Sequence, residues 1–177
     1  MTDTLTSIAM ATGLAGATGI RAGLPLFAAA LVKYFQAPGA SGTRLGLVLL
    51  AAVAILEVLF DKLPKGRLAE LVLTPVRTLA GGLVFVWLAA AVPTVIGLVV
   101  GTLFGVGVSL SRAAWRAFAA FVIGPYADSL ASSVEDAVAA FLIVLSVLTP
   151  PLGLAVVLLV SARSVTRLVS ERRAWPG

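Results

Sequence analysis

IAMATGLAGATGIRAGLPLFAAALV, residues 8–32, decides how this chain folds. It is long and apolar enough to cross a bilayer as one helix. Gly13, Gly16, Gly19, Gly23 and Pro25 interrupt it, however, and Arg21 sits near its middle. Pro25 removes a backbone donor, and so many helix-weakening residues need neighbouring protein or a wet cavity to satisfy the groups they free. A straight helix stays open as a reading; a broken or re-entrant one fits better.

Residues 36–43 read as a turn built on Pro38, Gly39, Ser41 and Gly42. A second apolar segment, 45–60, ends on Glu57 and Asp61, and 61–77 is a polar connector with Lys62, Pro64, Arg67 and Pro75. From Thr78 to Leu110 the chain is apolar over about 50 Å of helix, too long for an untilted span, and Pro93 divides it. Residues 111–136 mix Arg112, Trp115 and Arg116 with a Gly124-Pro125 break and predict an interfacial or short re-entrant segment. A last span, 137–160, is interrupted by Pro150 and Pro151. The fold class is therefore all-α: a polytopic transmembrane bundle of about four to six membrane segments in a single domain over residues 1–177. A weak internal repeat relates residues 8–77 to 79–167.

Composition agrees. Of 177 residues, 60% are hydrophobic and 12% charged, and the mean hydropathy is +1.08, whereas a soluble domain carries about 25% charged residues. The net charge of +5 points to orientation and contact with anionic lipid head groups, not to nucleic acid, because the basic residues sit between or beside apolar runs. With four spans, one side holds Lys62, Lys65, Arg67, Arg77, Arg163, Arg167, Arg172 and Arg173; the other holds Lys33, Arg44, Arg112 and Arg116. That excess puts both termini in the cytoplasm. The first ten residues lack Lys and Arg and so do not read as a secretory leader.

The chain has no cysteine and no histidine, which removes thiolate and imidazole metal sites and the Ser-His and Cys-His nucleophile pairs. Neither an enzyme, a metal nor a cofactor is expected. The candidate binding residues are instead charges within or beside apolar segments: Arg21, Glu57, Asp61, Lys62, Arg77, Glu135 and Asp136. Arg21, flanked by the helix breakers Gly19, Gly23 and Pro25, marks an anion site of the broken-helix kind. Its structural alternative is an ion pair with Glu57 or Asp61, or an arginine snorkelling to the membrane surface. Glu57 and Asp61, four apart, share a helix face and are suited to holding a proton or cation. Glu135 and Asp136 open the last span, where acids also favour a helix start. Pro93 and Pro150 are the other predicted breaks. Gly97, Gly101, Gly105 and Ser109 put small residues on one face, a packing surface within the subunit or between subunits of a homo-oligomer, with a narrow pore or substrate path as the alternative.

Gly19-Ile-Arg-Ala22, Leu24-Pro-Leu26, Glu57 with Asp61-Lys-Leu-Pro64, Thr74-Pro-Val-Arg77 with Ala80-Gly81, and Glu135-Asp136 with Pro150 together resemble a bacterial membrane-protein family, domain of unknown function 4126. The departures are Gly23, where that family favours a bulkier residue, and the segment from Arg112 to Arg116. The resemblance implies a polytopic protein of the bacterial cytoplasmic membrane and supports the acid and arginine positions as a shared framework; it supplies no activity. The residues themselves suggest a small transporter or channel-like permease for a small or lipid-linked anion, coupled to protons or a cation. The alternative is a non-transporting scaffold or lipid-interacting oligomeric subunit.

Overall fold

A computed structural model describes residues 4–36, 43–61 and 67–173, apart from the side chains of 43–45, 60–61, 67–72, 125, 128, 168 and 171–173. Among these residues the chain is helix and turn with no strand. The helices are α1 (Thr4–Thr18), α2 (Gly23–Gln36), α3 (Thr43–Asp61), α4 (Arg67–Leu88), α5 (Thr94–Ile123), α6 (Ala127–Leu148) and α7 (Pro150–Arg173), with a 3-10 turn at Gly124–Tyr126.

Helix α1 is apolar or small on every side and is buried without interruption from Ala9 to Thr18, as expected of a helix with no polar face. It packs against α2, α4, α5, α6 and α7 and so forms the axis of the bundle. It stops at Thr18 in a tightened last turn, with the amides of Gly19 and Ile20 bonded to the carbonyls of Gly16 and Ala17 at 3.0 and 3.1 Å. Helix α2 restarts at Gly23 and carries Pro25 in its first turn, where the missing N–H costs no intrahelical bond. Met10, Leu14 and Ala15 of α1 share a core with Ala28 and Ala29 of α2 and Val84, Phe85 and Leu88 of α4. A cavity joins the first turns of α1 to the end of α2. The two short helices are thus a hairpin, and the break at residues 19–22 is its tip.

The small face of α5 lies on α4 in antiparallel register. Gly97 meets Phe85 and Val86, Gly101 meets Gly81 and Phe85, and Gly105 meets Thr78. Ser109 is buried and its amide abuts Gly19, so this face packs within the chain and reaches the hairpin tip. Helix α7 runs parallel to α1, with Gly13 against Gly153 and Gly16 against Val157. Helix α3 packs on α2 at the periphery, Gly23 admitting the α3 backbone at Ala54, whose Cα would lie 2.6 Å from a Cβ added at Gly23.

Several expectations change. Residues 111–136 are not a separate interfacial or re-entrant segment, because α5 continues for 30 residues through Ile123. Its arginines do not end it, since both find a carboxylate on α6; the stop comes at Gly124, with φ of 69°. The connector at 61–77 is already helical from Arg67. Pro93 and Pro150 do separate helices, as the residue before α5 and the first residue of α7. The helices alternate in direction, so α1 begins at the hairpin-base end and α7 finishes at the tip end, on opposite ends of the bundle. That does not fit termini on one side, which assumed an even number of crossings. The two proposed halves also differ: 8–77 contains the broken α1–α2 pair, while 79–167 contains the continuous α5. Two helical stretches, Thr94–Ile123 and Ser129–Leu148, are long and apolar enough to cross a membrane, with shorter apolar stretches at Gly46–Leu59 and Leu73–Leu88.

Candidate functional site

The tip of the hairpin is where the charges meet. Arg21, the third residue of the break, is fully buried. Its Nε lies 2.7 Å from Asp136 Oδ1 of α6, and its Nη2 donates to the Ser132 hydroxyl at 3.0 Å. Ser132 and Asp136 are one turn apart on α6, so one helix face offers both acceptors.

On the other flank, Glu57 of α3 closes the start of α2. Its Oε1 accepts the Ala22 amide at 3.1 Å and its Oε2 the Gly23 amide at 2.6 Å. A helix start leaves its first amides without intrahelical partners, and a carboxylate there is favoured by the helix dipole. Here the carboxylate comes from another helix. Arg77 of α4, also fully buried, donates from Nε to the same Oε1 at 3.2 Å.

The third part lies between α5 and α6. Glu135 receives Arg112 Nε on Oε2 at 2.9 Å, Arg116 Nε on Oε1 at 2.6 Å and Arg116 Nη2 on Oε2 at 2.8 Å. Glu135 and Asp136 are adjacent on α6, yet one holds α5 and the other holds the hairpin tip. The network is continuous from α3 and α4 through the break to α6 and α5. Helices α4, α5 and α6 all continue past it, by about 7 to 15 Å of helix, while α1 and α2 stop.

Of the residues singled out from the sequence, Arg21, Glu57, Arg77, Glu135 and Asp136 converge here. Gly19 and Gly23 allow close approach of α5 and α3 to the break. The side chain of Asp61, and Lys62 altogether, lie outside the described residues. Three members were not among the candidates. Ser132 could have been found from its spacing to Asp136, and Arg112 and Arg116 from being one turn apart within an apolar helix. The Ala22 and Gly23 amides carry no side-chain signal at all.

Chemically this is an anion nest whose anion is supplied by the chain. Two backbone amides and a buried guanidinium hold the Glu57 carboxylate, whose side chain is 12% exposed. Asp136 is also partly open, at 24%.

No curated protein and no solved structure matches this chain, so neither a fold nor an activity is carried over from one. The model of the family described as domain of unknown function DUF4126 matches residues 8–168, a span that holds the whole network from Arg21 to Asp136, and the chain belongs to that family.

Proposed function

We propose that this chain is a multi-pass protein of the bacterial cytoplasmic membrane and works as a small permease for a small or lipid-linked anion, coupled to a proton. The distribution of side chains supports the membrane setting. Arg21, Arg77, Arg112 and Glu135 are buried, while Val53, Leu56, Leu83, Val99, Leu103, Phe141 and Leu159 face outward from α3 to α7. Charges inside and large apolar side chains outside suit lipid as the solvent. Exposed aromatics sit at both ends: Phe35 and Trp87 at one, Trp115, Phe118 and Tyr126 at the other. Along α5, Pro93 to Trp115 spans about 33 Å, close to the thickness of a hydrocarbon core.

The observation that carries the function is Glu57 seated in the anion nest of a broken helix. Half-helix starts at buried depth hold anionic groups in transporters. Protonation of Glu57 weakens its hold on the Ala22 and Gly23 amides and on Arg77, leaving those donors to an arriving anion. On return, the anion leaves and Glu57 gives up its proton. One proton thus accompanies one anion.

The test is uptake into proteoliposomes of labelled acetate, inorganic phosphate and a short-chain lipid phosphate under an inward proton gradient. Uptake above that of empty vesicles, lost in folded Glu57→Gln and Arg77→Gln proteins, supports the permease. Uptake equal to empty vesicles, or unchanged in both variants, removes it. A scaffold or lipid-interacting oligomeric subunit is favoured by a different observation: Glu57, Glu135 and Asp136 are already engaged within the chain, as structural ion pairs would be.

A further inference from the structure

At the base of the same hairpin, at the end of the bundle away from the charged network, a cavity of about 220 Å³ opens between the start of α1, the end of α2 and the residues closing α4. Thr4, Ser7, Lys33 and Gln36 give it a polar side, and Ile8 and Leu88 give it an apolar one. None of its lining residues among the described ones is acidic. An ammonium, two hydroxyls and a carboxamide are all able to donate, and they stand beside apolar surface that a short hydrocarbon chain can cover. At about 30 Å³ per water, the space holds roughly seven waters or one small organic molecule.

The charge of the occupant follows from the wall opposite. Helices α2 and α4 both end here, at Gln36 and Leu88, so the last carbonyls of both, negative ends of the helix dipoles, border the cavity, while the first amides of α1 at Thr4 bring one positive end. One lysine against those carbonyls suits a single negative charge better than two.

We infer that this cavity binds a singly charged small carboxylate, with Lys33 on the carboxylate, Thr4, Ser7 and Gln36 around it, and Ile8 and Leu88 against its short apolar chain. The site is separate from the Glu57 nest. About 15 Å of α2 lies between them. Its occupancy is readable without any transport, so it stands or falls apart from the permease.

The experiment uses the full chain in detergent with butyrate as the probe, butyramide as the neutral isostere and inorganic phosphate as the multiply charged comparison. Acylation of Lys33 by an amine-reactive ester is followed by mass spectrometry, and butyrate binding is followed by titration calorimetry. Butyrate is expected to protect Lys33 saturably, and butyramide and phosphate to protect it far less. Lys33→Gln is expected to weaken butyrate binding about tenfold, the worth of one charge-assisted hydrogen bond, while Lys33→Arg retains most of it. Both variants are checked for unchanged unfolding temperature, so that a folding defect is told apart from a lost ligand. Equal protection by butyrate and butyramide overturns the inference. So does wild-type butyrate affinity in Lys33→Gln.

Discussion

The carboxylate of Glu57 caps helix α2 from helix α3, its Oε2 accepting the Gly23 amide at 2.6 Å across 34 residues of sequence. The other oxygen is shared between the Ala22 amide and Arg77 Nε. One side chain therefore ties the hairpin tip to two further helices, and α3 has no other large packing partner than α2 among the described residues.

Glu57→Gln keeps the shape and one acceptor but removes the charge facing Arg77. It is expected to lower stability by about 2 kcal/mol, and Glu57→Ala by about 3 to 5 kcal/mol, the range for breaking a buried pair. Reversible unfolding in detergent measures both. In the double variant Glu57→Gln with Arg77→Gln the losses should fall short of their sum by at least about 0.5 kcal/mol. Additive losses would mean that the two residues do not act as a pair.

The Arg21–Asp136 pair should be lopsided. Arg21 is wholly enclosed while the Asp136 side chain is 24% exposed, so water can take over part of the carboxylate's solvation but none of the guanidinium's. Asp136→Asn, which deprives a buried guanidinium of its carboxylate, is expected to destabilise by about 3 kcal/mol or more. Arg21→Met, which removes the buried charge and keeps much of the volume, should cost clearly less. The reverse order in unfolding experiments would contradict the burial asymmetry.

The breaks in this fold are written locally, and that is why the sequence reveals them. Gly19 to Pro25, Pro93 and Pro150 act through missing donors or missing side chains within a turn or two. The arginines of α5 could not be read that way. Arg112 and Arg116 in an apolar run look like a membrane surface, and only Glu135, 23 and 19 residues further on, turns them into interior residues of an unbroken helix. The Glu57 cap is equally non-local. Sequence showed that an acid and a glycine-flanked arginine were present, but Glu57 went to the amides beside Arg21 and the Arg21 side chain went to Asp136.

Tight helix contact makes a further prediction. A Cβ on Gly101 would collide with the Gly81 carbonyl oxygen and come within 2.6 Å of Phe85 Cβ, whereas one on Gly46 meets nothing within 4 Å. Gly101→Ala is expected to cost about 1 to 3 kcal/mol through overpacking. Gly46→Ala should be neutral or stabilise by up to about 1 kcal/mol through helix propensity. Unfolding of the two variants side by side checks the α4–α5 register, because a different register would spare Gly101.

Topology gives the last prediction. Helix α1 begins at the hairpin-base end and α2 returns to it; α3 to α7 then run along the bundle in alternating directions, leaving the C-terminal turns of α7 at the tip end. The tip end carries the start of α4 at Arg67 and, on α7, Arg163, Arg167, Arg172 and Arg173, whereas the base end has Lys33 and Arg44. In the membrane reading, that excess of basic residues puts the tip end in the cytoplasm. A C-terminal green fluorescent protein fusion should therefore fluoresce and a C-terminal alkaline phosphatase fusion stay inactive. A cysteine placed at Thr4, in a chain that has none, should react from outside with a membrane-impermeant maleimide. Protection of that cysteine in intact cells, together with a cytoplasmic C-terminus, would mean an even number of crossings and would rule out the hairpin as the entry of the chain.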